Sequence, residues 1–471
     1  MITEEKIEQA VSRAEKSFYD CWDKLFAIKD AESLFSFQPA LLTALYQIEA
    51  IYQEVCKEER ELKRQRTKTN HKQVSERLQT LGLYKSVLNQ VVDVGKVLGD
   101  AFAWIFYEKE KQLLKNHYDH EFIPHLTTRT GGRGEYEFAK KAPQFGKYLV
   151  LMHSVTTFLR HGDISLIDPI NLKVAAIGEL KSHKKSETEI SVSIYLAGTK
   201  LPKEMLPKVR EPQAEQERKT PEQKLPPEIL DRLKRQIKGI QDAFKPQTSA
   251  HPPEKIEMHL AEVKLKELFD NSTIGKWGNI KVDRGLLLVG IKSEISPFCS
   301  QLKKEALTDE NSFKQNLEAL KNPVNGICDK KLPNNFVTTA WILYPVNERY
   351  FLPFGMKPFL WWPLDRAVIK AIVFQQFRVM TLYNPAFLID ELNRNGFDVQ
   401  FDQNKRLKIT KKIGEKSFEF SGMDHFIAAV RTQFYADTGI VNFVRKAVEK
   451  IEAENFQQPT QVSVDLDFLN N

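Results

Sequence analysis

Cysteine is scarce in this chain: Cys21, Cys56, Cys299 and Cys328 are the only four in 471 residues, and no CxxC occurs among them. That excludes a disulfide framework and fits a reducing, cytoplasmic setting. No GxxxxGK[ST] is present, so a P-loop ATPase of the chain's own is not expected, although a partner protein could supply one. The N-terminus, MITEEKIEQAVSRAEKSF, has a charged helical period and no apolar core ahead of a small-residue cleavage site, so no signal peptide is read there. Long apolar runs are missing as well. The most apolar stretch, 91–106, is broken by Asp93, Lys96 and Asp100, too short and too charged to span a bilayer, and no membrane association is expected.

What is present has a globular composition, with 42% apolar and 28% charged residues and a length sufficient for two or three domains. The formal net charge of +7 is compatible with a polyanionic partner without being evidence for one.

Residues 1–128 read as helices throughout, because apolar positions such as Leu41, Leu45, Ile48 and Ile51 recur at spacings of three and four. The basic segment 60–72 reads as a solvated helix end or loop, with a phosphate-tracking patch as its alternative. TTRTGGRG at 127–134 breaks this helical region with three glycines, and a domain boundary is placed there. Further on, 189–197 alternates like a strand, and 199–227 is a charged, Pro-rich insertion or linker. Helices are expected over 227–244 and 256–269, and 281–291, KVDRGLLLVGI, reads as a strand buried on both faces. The organisation expected is a helical domain at 1–128, a core at 129–295, and an α+β domain of unknown role at 296–471. Within the last, 395–419 reads as two strands and 424–454 as helical.

The segment with most chemical content is HGDISLIDPINLKVAAIGELKSHKK, residues 161–185. Two apolar, β-branched runs flank Asp168-Pro169-Ile170-Asn171, a turn signal in which Pro fixes φ and Asp caps its own backbone. Side chains at i and i+2 on a strand share a face, so Glu179 and Lys181 project together with Leu180 behind them. If Asp168 pairs with Leu172, Asp163 lies opposite Ile177 and diagonal to Glu179 on the same face. Diagonal neighbours are roughly 7–8 Å apart, within reach of one divalent cation. A slip of one residue would send the two acids to opposite faces.

A helix, a strand with Asp, a strand with Glu-x-Lys, a helix and a strand, in that order, resemble the PD-(D/E)xK nuclease superfamily, the restriction-endonuclease-like fold. The likeness covers roughly 135–291, on Gly162-Asp163-Ile164 and Gly178-Glu179-Leu180-Lys181. The resemblance implies an α/β (α+β) core, a mixed central sheet flanked by helices. It implies that Asp163 and Glu179 ligate Mg²⁺ or Mn²⁺ and that Lys181 stabilises the phosphate and orients the attacking water. The activity implied is phosphodiester hydrolysis, in DNA rather than RNA and by an endonuclease rather than an exonuclease, in the manner of a prokaryotic defence or restriction effector. A homo-oligomer or a partner protein would fit such a role. Hydrolysis of a phosphodiester needs a hard cation, whose accepted ligands are carboxylate oxygens, so the residue types suit the chemistry independently.

Weaker candidates surround this centre. The superfamily often adds an acid from the preceding helix, and Glu135 is in place for that, with a helix N-terminal acid favouring the macrodipole as the alternative. Gln236 stands where some branches carry a Gln, or is a solvated helix residue. His161 and His183 flank the site as phosphate contacts or incidental residues. The first motif has Gly-Asp in place of Pro-Asp, and Glu262-Val263-Lys264 repeats the Glu-x-Lys on an expected helix, where it is surface charge. His117, His120 and His125 match no common zinc spacing. The aromatics of 350–362, interleaved with Lys357 and flanked by Arg349 and Arg366, read as a packed segment or a base-stacking surface. A non-catalytic nucleic-acid-binding or scaffold protein on the same fold is the alternative function, and a helical interaction protein a third.

Overall fold

The computed structural model of the chain describes residues 1–28, 31–65, 71–118, 130–141, 144–145, 147–184, 190–197, 261–293, 338–341, 358–362, 364–401, 407–413, 416–420 and 437–453, with positions 126, 298, 302, 427 and 430. They belong to two units, one of Met1–Ser249 with Lys357–Trp361, the other of Ala250–Met356 with Trp362–Asn471. The helical and strand-rich segments expected as separate domains on either side of residue 128 therefore lie in one unit.

In the first unit, α1 (Glu4–Phe26) starts where Thr3 caps the Lys6 N–H and Glu4 and Glu5 favour the helix dipole. Its Ile7, Val11, Ala14, Phe18, Cys21 and Leu25 recur at spacings of three and four and are buried. They pack against α2 (Ala31–Gln65) and α3 (His71–Tyr107). The Ile2 N–H donates to Glu58 near the far end of α2, which makes α1 and α2 antiparallel. From Val87 onward α3 is buried on nearly every side, as expected for a helix with other elements all around it. No helix among the described residues is long and apolar enough to cross a membrane. The charge that interrupts the apolar run of α3 has a use: Asp100 accepts from the Thr157 N–H and hydroxyl at 2.7 and 2.6 Å.

After α4 (Lys111–Tyr118), α5 (Thr130–Lys141) begins inside the glycine cluster that the sequence presents as a break. Tertiary contact overrides the weak helix propensity of glycine here. Gly132 and Gly134 are buried, Tyr136 stacks on Tyr46 of α2 at 4.3 Å between ring centroids, and α5 packs on the sheet.

That sheet holds β1 (Gln144–Phe145), β2 (Tyr148–Met152), β3 (Ile164–Asp168), β4 (Lys173–Lys184) and β5 (Ile190–Ala197) in chain order. Every pairing is antiparallel, so an α+β meander replaces the expected mixed sheet. No more than eleven residues separate any two of its consecutive strands, which favours antiparallel neighbours; parallel pairing needs a longer crossover. Because β1 covers only the start of β2, the amide of Gln38, buried in α2, takes over: it donates to the Val150 carbonyl at 2.7 Å and accepts from the Met152 N–H at 2.8 Å.

In the second unit, α6 (Ala261–Asn271) packs on β6 (Trp277–Lys281) and β7 (Leu286–Lys292). With β8 (Thr338–Trp341) and β9 (Phe377–Tyr383), these strands form an antiparallel sheet in the order β6-β7-β9-β8 around Leu287, Val289 and Leu382. The buried run at 281–291, expected to complete the sheet of the site, thus pairs elsewhere. An apolar run specifies burial but not its partner. Next come α7 (Arg366–Val373), α8 (Ala386–Arg394), the sheet β10 (Asp398–Phe401), β11 (Leu407–Ile413) and β12 (Lys416–Phe420), and α9 (Asp437–Ala453). Tyr383 donates a hydrogen bond to buried Asp437 at the start of α9, and burial pushes that carboxyl up to about 7.

Candidate functional site

The β3–β4 hairpin carries the site, and its turn is built as an Asp-Pro turn. Asp168 Oδ1 accepts from the N–H groups of Ile170 and Asn171, and Oδ2 from the Asn171 amide. The pairing is displaced from the expected one. Asp168 lies opposite Lys173, with Leu172 in the left-handed region at φ 49°, so the turn is one residue longer. A bulge then separates Ile167↔Val174 from Leu166↔Ala176, adding a second single-residue shift. Two such shifts restore the parity of faces. Continued by one residue, this register sets Asp163 across from Glu179 instead of Ile177. Ser165, Ile177, Glu179 and Lys181 alternate onto the face that meets Tyr107 of α3 and Glu135 of α5.

Glu179 is 4% exposed, and its Oε1 receives Lys181 Nζ at 2.6 Å. Asp163 Oδ2 accepts from the backbone N–H of Leu180 at 2.7 Å. Glu135, on the second turn of α5, joins them. Its carboxyl is pushed up to about 8, first by burial, then by the negative charge of Asp163 and that of Glu179, while Lys181 acts in the opposite direction. The Ser154 hydroxyl also favours the ionised form of Glu135, although it is buried without a hydrogen-bond partner of ordinary geometry. Ser154 belongs to a single 3-10 turn, His153–Val155, between β2 and β3.

Among the described residues, no group of three or more histidine, cysteine, aspartate or glutamate side chains stands in a geometry that could hold a metal ion. The chemistry of the set nevertheless suits a hard divalent cation. Its donors are carboxylate oxygens, and a cation would offset the negative charge of Asp163 and Glu179 that adds to burial in raising Glu135. In the present arrangement Asp163 Oδ2 accepts from the Leu180 N–H and Glu179 Oε1 from Lys181 Nζ.

The other candidates fall elsewhere. His161 is buried, and its backbone N–H donates to His117 Nδ1 at 3.0 Å. Gln236, His120, His125 and the expected 227–244 helix lie outside the described residues, and nothing is described of the His183 side chain. Lys264 pairs with Glu267 on the exposed side of α6, as surface charge. Of the aromatic segment, 350–357 lies outside the described residues, and the half-buried Trp361 donates to the Ala101 carbonyl at 2.8 Å and packs edge-on against Phe26. Sequence reasoning singled out neither β2 nor His153 and Ser154, which sit in a connection without periodicity. Comparison with known proteins finds no family model, curated sequence or solved structure that matches the chain.

Proposed function

We propose that the chain is a metal-dependent nuclease that hydrolyses phosphodiester bonds, acting on DNA in preference to RNA, with Asp163, Glu179 and Lys181 at its centre. The observation that carries this reading is the crowding of Glu135 against Asp163 and Glu179, with the Lys181 ammonium among them. Acids perturbed by burial and by one another's charge, with a lysine among them, are what a catalytic centre for a polyanionic substrate uses. Asp163 and Glu179 would hold Mg²⁺ or Mn²⁺, which would supply phosphoryl polarisation and an acidified water. Lys181, 24% exposed at its side chain, sets a positive charge where a phosphate would gain negative charge. Glu135 holds a proton at neutral pH and can release it as the charge around it changes. Strand β4 fixes Glu179 more firmly than a loop would, and Asp163, one residue ahead of β3, is held by backbone hydrogen bonds to His153 and Gly178.

The test is cleavage of labelled duplex DNA, single-stranded DNA and RNA by the purified chain with Mg²⁺ or Mn²⁺. Asp163→Ala and Lys181→Ala are expected to abolish cleavage while the circular dichroism spectrum is kept. Full activity in either variant, or no cleavage of any substrate by protein that binds Mn²⁺ at Asp163, overturns the proposal. The Lys181–Glu179 contact of 2.6 Å favours a second reading, a structural pair in a non-catalytic nucleic-acid-binding or scaffold protein. That reading expects salt-sensitive binding with no metal requirement.

A further inference from the structure

We infer that His153 is a positioning residue for Asp163, clamping the backbone that carries it through a one-way hydrogen-bond chain with Ser165, Tyr107 and His117. The inference rests on reading Asp163 as a residue of the site.

The direction of every hydrogen bond in the chain follows from its ends. The His161 backbone N–H can only donate, so His117 Nδ1, at 3.0 Å, accepts and the His117 proton sits on Nε2. That proton faces Tyr107 Oη at 3.3 Å. At the other end the Gly162 carbonyl can only accept, so His153 Nδ1, at 3.0 Å, carries the proton. Tyr107 Oη, which receives the His117 proton, gives its own to Ser165 Oγ at 2.5 Å. Ser165 then gives its only proton to His153 Nε2 at 2.7 Å. The chain runs His161 N–H, His117, Tyr107, Ser165, His153, Gly162 carbonyl, without a break and in one direction.

Both ends are backbone groups that do not titrate, so the chain cannot conduct a proton. It can hold geometry. His153 also donates its backbone N–H to the Asp163 carbonyl at 2.9 Å, and the Asp163 N–H donates to the Gly178 carbonyl at 2.8 Å. Residues 161 to 163 are therefore each tied down, and Gly162 takes the φ of 77° that the tight path requires. Tyr107, His117, His153 and Ser165 are fully buried, and a buried polar network of this kind specifies one arrangement where apolar packing would accept several. The segment it specifies is the one leading into Asp163.

The Leu180 amide reports the position of Asp163 because its N–H is bonded to Asp163 Oδ2. Ser165→Ala is expected to raise hydrogen exchange at Leu180 about tenfold while amides of the β2–β3 ladder keep their protection. Mn²⁺ affinity is expected to fall, and kcat to fall with KM for DNA unchanged; Ser165→Thr, which keeps the hydroxyl, is expected to restore all three. Tyr107→Phe, which removes a hydroxyl one step further along, is expected to act in the same direction and serves if Ser165→Ala fails to fold. Unchanged Leu180 exchange in a folded variant that has lost the hydroxyl overturns the inference. If the parent protein binds no Mn²⁺ and cleaves nothing while Leu180 responds as stated, the nuclease reading fails and the positioning of Asp163 by His153 stands.

Discussion

Asp163 Oδ2 accepts a 2.7 Å hydrogen bond from the backbone N–H of Leu180, the residue between Glu179 and Lys181. One acid of the candidate site is thereby bonded to the strand that carries the other, through the backbone and not through side-chain charge. Removing the charge and removing the bond are therefore separable.

Asp163→Asn keeps an oxygen for Leu180 and deletes the charge, so stability is expected to stay near that of the parent while Mn²⁺ binding and cleavage are lost. Asp163→Ala deletes both and is expected to cost a further ~1 kcal/mol, the usual worth of a neutral bond to a backbone donor. Urea denaturation and Mn²⁺ titration of the two variants read the difference.

Glu135 gives the site a pH signature. Its folded pKa of about 8 lies above the ordinary 4.5 of a glutamate, so the folded state binds the extra proton between those values. Its contribution to stability is complete below the unfolded pKa and is lost as pH rises through 8. Asp100, at about 7, and Asp93, at about 6, have the same sign, so a decline on the alkaline side is not by itself diagnostic. Glu135→Gln is the diagnostic comparison. At pH 8.5 it is expected to be more stable than the parent by on the order of 2 kcal/mol and to be inactive, the mark of an acid retained for function at the expense of stability. Thermal denaturation across pH 5–9 checks the sign.

Two lysines in identical Glu-x-Lys settings are expected to differ. Lys181→Met leaves the nearly buried Glu179 without its partner, and because Lys181 is partly exposed the expected cost is about 1 kcal/mol together with loss of cleavage. Lys264→Met removes an exposed pair with Glu267 and is expected to change stability by less than ~0.5 kcal/mol and activity not at all.

Two glycines of α3 are expected to respond with opposite sign to alanine. A Cβ at Gly82 meets nothing within 4 Å, so Gly82→Ala is expected to stabilise by about 0.5–1 kcal/mol. A Cβ at Gly99 would lie 1.9 Å from the Val155 carbonyl oxygen, so Gly99→Ala pushes the His153–Val155 turn off the helix. The expected cost is roughly 3 kcal/mol, with impaired Mn²⁺ binding because His153 and Ser154 move together. Denaturation midpoints of the two variants measure the contrast.

Much of the site's local structure was legible in the residues. The Asp168-Pro169 turn, the shared face of Glu179 and Lys181, and the helix carrying Glu262-Val263-Lys264 follow from interactions spanning a few residues, which sequence spacing reports directly. The register was legible only in parity. Leu172 entering the left-handed region and the bulge beside Leu166 are each one-residue events, and neither has a mark in the pattern of apolar residues. Glu135 was a candidate with an equally good alternative, because its burial against Asp163 and Glu179 depends on where α5 docks.

The sequence by itself determined the helical character of the described residues up to Tyr118, the hairpin and its turn, and which side chains share a face, since these depend on backbone preference and side-chain period. Tertiary structure alone decided that the sheet is an antiparallel meander, that the strand at 286–292 belongs to the other unit, and that Glu135 closes the acid cluster. It alone assembled Tyr107, His117, His153 and Ser165 behind Asp163. The reason is range: partners separated by tens of residues are chosen by complementary burial and hydrogen bonding in three dimensions, and no spacing along the chain records that choice.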